Sequence, residues 1–165
     1  MTPSPSGQLE GRTVTFTREF RAPAVDVWDA VTDPVRMERW LGTWSGDPAS
    51  GQVEFCMTAE GEDAPTERVQ ILECTPPERL EVRWLEGDWH IAINIHEVGG
   101  ITRLDFAQTF ATGEPVTVVG PGWEYYLDRL GAHLAGHDVS AIEWSDYEPL
   151  MAHYGAFVRR IDEAD

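Results

Sequence analysis

Lysine is absent from the 165-residue chain: all 12 basic residues, from Arg12 to Arg160, are arginines. That excludes Schiff-base chemistry, a P-loop lysine and proton transfer by an amine. Positive charge of any kind is scarce, since 29 acidic residues leave a formal net charge of −17. Nucleic acid and anionic membrane surfaces are therefore poor partners. Two cysteines, Cys56 and Cys74, are too few for a disulfide framework or a four-thiolate zinc site. Buried free thiols are expected instead. No apolar run approaches the length of about 18 residues that a membrane helix needs. The opening MTPSPSG lacks the basic and apolar regions of a secretory signal, so a cytoplasmic address is expected. Catalytic signatures are missing too: there is no G-x-S-x-G elbow, no G-x-G-x-x-G loop and no recognisable Cys–His spacing.

What is present has the size and balance of one globular domain. Residues 1–10 read as a disordered tail, 11–138 as a single packed unit and 139–165 as a C-terminal amphipathic extension. Residues 13–21 alternate Val14, Phe16, Arg18 and Phe20 against polar neighbours, which is strand period. Two short helices follow, over residues 23–31 and 34–41, broken at Thr32-Asp33-Pro34. Five more strands are expected at 53–58, 67–74, 79–85, 89–97 and 101–110, each with one apolar face. A sheet wet on one side needs a cover. A long helix over 123–136 supplies it, after a break at Gly120-Pro121-Gly122, with Trp123, Tyr126, Leu127, Leu130 and Leu134 inward and Glu124, Asp128 and Arg129 outward. The stretch 146–161 is amphipathic again through Tyr147, Leu150, Met151, Tyr154, Phe157, Val158 and Ile161. It either folds back on its own domain, the favoured reading, or pairs with its copy in a homodimer.

Strand, helix pair, five antiparallel strands and long helix is the element order of the α+β helix-grip fold: a six-stranded antiparallel curved sheet wrapped around a long C-terminal helix. The residues carry the likeness further. EFRAPAVDVWDAVTDPVRMERW, over 19–40, resembles the opening signature of the START-like SRPBCC superfamily, in its activator-of-heat-shock-ATPase-like (AHSA) branch. TPPERL at 75–80 followed by Trp84, GGITRL at 99–104, and Gly122-Trp123 with Tyr126-Leu127 are similar to three later blocks of that family. The single Gly51-Gln52 departs from the paired glycines common before the second family strand.

The resemblance implies a cavity between sheet and long helix, and seven tryptophans are available to wall it. The expected lining is Trp28, Trp40 and Trp44 from the helix pair and the loop after it; Phe55, Met57, Ile71, Trp84, Trp89, Ile91, Ile93 and Phe106 from the sheet; and Trp123, Tyr126, Leu127, Leu130 and His133 from the long helix. The alternative is that these rings simply fill the core. Ser45 and Tyr126 are the first polar groups to seek in a cavity. His133 and His137 have metal-ligand spacing but no third ligand, so no metal, cofactor or catalytic residue is assigned. His90 and His96 fall on the solvated face of their strand. The leading expectation is a binder of a small hydrophobic or aromatic molecule. A polyketide cyclase or aromatase-like enzyme and a co-chaperone-like protein-binding module are the alternatives. An enzyme requires at least two polar side chains with perturbed titration in the cavity, whereas a pure binder requires an almost wholly apolar lining.

Overall fold

The structure is a computed structural model and describes residues 3–164. Alternating sequence becomes one antiparallel sheet of eight strands, ordered β1-β2-β8-β7-β6-β5-β4-β3. The strands are β1 (Gln8–Glu10), β2 (Thr13–Phe20), β3 (Thr43–Ser45), β4 (Gln52–Cys56), β5 (Thr66–Thr75), β6 (Arg79–Trp84), β7 (Trp89–Val98) and β8 (Ile101–Thr109). In the inward phase Val14, Phe16, Val53, Phe55, Val82, Trp84, Ile91, Ile93, Leu104 and Phe106 are buried.

The expected six strands are thus corrected to eight, and both additions are the sheet's edges. Each is three residues long, too short to display a period, and a short edge offers little backbone for unwanted pairing. Gly11, at φ 61°, turns β1 back onto β2 so that Leu9 pairs with Val14. The expected disordered tail is likewise corrected from Ser6 onward, since the Ser6 and Gly7 amides are both hydrogen-bonded to residues beyond position 120 and β1 follows. Met1 and Thr2 lie outside the described residues.

Helices α1 (Ala24–Thr32) and α2 (Pro34–Met37) cross one end of the sheet. The Asp33 carboxylate between them accepts the Val35 amide at 3.0 Å, and Pro34 opens α2, an ordinary start chemistry for a helix. The long helix α3 spans Val116–Ala135, a full two turns earlier than the sequence suggested. Gly120-Pro121-Gly122 is not a break but lies within it. The reason is tertiary: Gly120 presses against the Tyr154 ring, where a Cβ would overlap the ring carbons. Packing outweighs local propensity there.

The C-terminal segment runs through three 3₁₀ turns into α4 (Met151–Gly155) and α5 (Phe157–Glu163), a broken rather than continuous helix. It packs on its own chain: Tyr147, Leu150, Tyr154, Phe157 and Ile161 are all buried. Because this segment packs along the flank of α3 beside β2, with Tyr154 6.0 Å from the Phe16 ring, the outward placement expected for Glu124 and Asp128 is corrected too. Glu124 is 1% exposed. Its carboxylate accepts hydrogen bonds from Arg18 Nη2 (2.7 Å), the Tyr154 hydroxyl (2.6 Å) and the Ser6 amide (2.6 Å). Asp128 receives Arg18 Nε at 3.1 Å and the Tyr147 hydroxyl at 2.7 Å. Burial pushes the Glu124 carboxyl up, but these donors outweigh it and hold it below the usual range. The thiol expectation also changes, since Cys56 is half-buried and Cys74 is exposed. A bulge between Ile71 and Glu73 shifts the register of β5 so that Cys74 pairs with Leu80 at the strand's far end.

Candidate functional site

One end of the grip is left open. A cavity of about 610 Å³ lies between the inner face of the sheet, the first half of α3 and the segment joining β4 to β5. Strand position brings Glu67, Trp84 and Trp89 to its wall, the 57–65 segment contributes Met57, Ala59, Glu60, Ala64 and Pro65, and α3 contributes Val118, Val119, Gly122, Trp123, Tyr125 and Tyr126. Gly87 of the β6–β7 turn and Trp144 of the C-terminal segment complete it.

The rings are held from behind. Trp84 meets Phe55 edge-on at 5.3 Å between centroids, and Trp123 lies 4.4 Å from Phe106 while its Nε1 donates to Gln108 Oε1 at 2.6 Å. Tyr125 sits 5.7 Å from Trp144 and 5.0 Å from Tyr126. These are the separations at which aromatic edges and faces attract. The indole N–H of Trp84, in contrast, is buried without a hydrogen-bond partner. An orphaned donor of this kind costs free energy until an acceptor reaches it.

The polar groups of the cavity are acidic or neutral. The Tyr126 hydroxyl donates to Glu60 Oε1 at 3.2 Å, and burial, reinforced by the Glu60 charge, raises its pKa well above that of an ordinary phenol. Burial also pushes the Glu67 carboxyl up, and the neighbouring Glu86 and Glu60 charges act in the same direction.

Of the expected lining, Met57, Trp84, Trp89, Trp123 and Tyr126 come together around the void. Phe55 and Phe106 stand one layer behind it. Ile91, Ile93, Leu127 and Leu130 are buried core, with Ile71 half-buried against it. The helix-pair tryptophans serve their own neighbourhood: Trp40 Nε1 donates to the Ala30 carbonyl at 2.8 Å and Trp44 Nε1 to the Thr32 carbonyl at 2.7 Å, while Trp28 is buried. Ser45 is exposed on β3. His133 lies away from the cavity, where its Nε2 accepts from Arg36 Nε at 3.3 Å; burial and then the Arg36 and Arg39 charges lower its pKa. The sequence reading missed Glu60, Glu67, Tyr125 and Trp144. For Glu67 a signal existed: it shares the inward phase of Val69 and Ile71.

A long helix gripped by a curved antiparallel sheet, with an aromatic cavity between them, defines a helix-grip protein of the SRPBCC superfamily. Within that class residues 21–135 match the family model described as Activator of Hsp90 ATPase homolog 1-like protein, and the chain belongs to that family. Among solved structures it is similar to CalU16 from Micromonospora echinospora, with a TM-score of 0.70 and 27% identity over 92% of this chain and 89% of that one. EF2215 from Enterococcus faecalis shares the fold at a TM-score of 0.71 and 18% identity, over 94% and 90% of the two chains. A Bordetella parapertussis protein, BPP1335, does so at 0.68 and 22%, over 92% and 94%. No curated protein matches the chain. Among the described residues no helix is long and apolar enough to cross a membrane.

Proposed function

We propose that this protein binds a small hydrophobic or aromatic molecule in the cavity between its sheet and α3. The observation that carries the reading is the void itself. About 610 Å³ walled by tryptophan and tyrosine is within the range of small-molecule sites, and side chains that merely filled the core would have closed it. Native mass spectrometry of the purified protein, followed by quenching of its tryptophan fluorescence with hydrophobic probes, tests it. Gly122→Leu places a side chain into the void from a helix position where a Cβ meets nothing within 4 Å. This variant is expected to stay folded and to lose the quenching; undiminished quenching sinks the proposal.

A cyclase-like enzyme in the same cavity is the second reading, because Glu67 and Tyr126 are two polar lining groups with perturbed titration. Binding stands ahead of it on chemical grounds. The Tyr126 hydroxyl is engaged by Glu60, and its raised pKa makes it a poorer proton donor than a free phenol.

A further inference from the structure

The cavity's charge is one-sided. Glu60 and Glu67 line it, and the described lining residues include no arginine or histidine. The arginines closest in sequence to these walls already have partners: Arg68 Nε donates to Glu86 at 2.7 Å, Arg83 Nε donates to Asp88 at 2.6 Å, and Arg129, which packs over the outer Tyr125 ring at 5.2 Å, donates through Nε to the Trp40 carbonyl at 3.0 Å. The position of Glu67 is itself unusual. In the β4–β5 register it stands opposite Phe55, one inward step from Val69, and both of those residues are buried. Pleat alternation calls for an apolar side chain there, because a carboxylate at an inward position loses hydration without gaining a partner. The same cavity is lined by Trp84, Trp89, Trp123, Tyr126 and Trp144, aromatic rings whose faces carry negative quadrupole density.

We propose that the ligand of this cavity is an organic cation, an amine or quaternary ammonium group borne on a hydrophobic or aromatic body. The inference rests on the binding reading above and sharpens it. Aromatic faces and a partly desolvated carboxylate such as Glu67 both attract a weakly hydrated cation. A neutral ligand leaves Glu67 uncompensated, and an anionic one is repelled by both carboxylates. Burial and the Glu86 and Glu60 charges already disfavour the ionised form of Glu67, and a cation seated beside it relieves that cost.

The test is calorimetric titration of the whole chain with three probes that share one aromatic tail: 4-phenylbutyl-trimethylammonium, 4-phenylbutanol and 4-phenylbutyrate. The ammonium probe is expected to bind about tenfold more tightly than the alcohol, and the carboxylate most weakly. In the double variant Glu60→Gln, Glu67→Gln the ratio of ammonium to alcohol affinity is expected to fall several-fold, and an unchanged ratio overturns the cation assignment. The control Glu19→Gln, Glu54→Gln removes the same charge from exposed positions on β2 and β4 and is expected to keep the preference. Equal binding of all three probes by the unaltered protein, or an equal loss of preference in the control, overturns the cation assignment alone. Failure of every probe to bind overturns the binding reading and the cation assignment together.

Discussion

Gly120 and Gly122, two positions apart in α3, have opposite reasons to be glycine. At Gly120 the Tyr154 ring occupies the space of a side chain, and at Gly122 that space is empty cavity. Gly120→Ala is therefore expected to destabilise by roughly 1–3 kcal/mol, the cost of overpacking, in spite of alanine's better helix propensity. Gly122→Ala is expected to stabilise by about 0.5–1 kcal/mol. Chemical denaturation of the two variants beside the parent decides it, and equal effects would remove the argument. Neither role was legible in the sequence, where Gly120-Pro121-Gly122 has the look of a helix break; only the return of Tyr154 from 34 residues further on makes the first glycine necessary. The cavity wall was legible where strand or helix phase alone decides it, as for Trp84, Trp89, Trp123 and Tyr126. It was illegible where a loop or the chain's return decides it, as for Glu60 and Trp144. Trp40 was misread as lining because nothing in its spacing says that its N–H is satisfied by Ala30, ten residues earlier.

Among the elements, α4 and α5 bind the assembly together. They cover the flank of α3 beside β2, place Tyr154 on Glu124, and anchor the start of the chain through the Gly7 amide, which donates to the Tyr154 hydroxyl at 2.9 Å. Tyr147, Leu150, Tyr154, Phe157 and Ile161 are buried. At about 1.5–3 kcal/mol for each large apolar side chain, their combined contribution rivals the entire net stability of an ordinary domain. Removal of residues 139–165 is thus expected to abolish cooperative thermal unfolding and to produce an aggregating, dye-binding species. A truncated protein as soluble and as sharply melting as the parent would refute this. The amphipathic stripe foretold that the segment must bury itself. It did not foretell that the flank of α3 beside β2 would be its partner, because Glu124 and Asp128 have the appearance of solvated residues until Arg18 is placed opposite them at an inward position of β2.

For the molecule as a whole the dominant quantity is a net charge of −17. The solvent face of the sheet offsets part of it locally through exposed pairs such as Arg68–Glu86 and Arg83–Asp88. Such pairs are individually weak, so self-repulsion is the larger electrostatic effect. Raising the salt concentration from about 0.01 M to 0.15 M shortens the screening length from about 30 Å to 8 Å. The melting temperature is expected to rise across that range in a non-coordinating salt such as sodium chloride. A fall would mean that the surface pairs outweigh the net charge.

The sheet order carries one more consequence, for the way the chain is made. Strand β2 pairs with β8, so that Thr13 lies opposite Thr109, 96 residues downstream. At translation speeds of about 5–20 residues per second, β2 waits roughly 5–20 s for the neighbour that completes its hydrogen bonds. Throughout that interval Val14, Phe16 and Phe20 ride on a nascent strand with one open edge, while the β4–β7 meander assembles without it. Within the sheet, the pairing of the first long strand with the last is therefore the ladder of greatest sequence separation, a contact that no hairpin turn brings together.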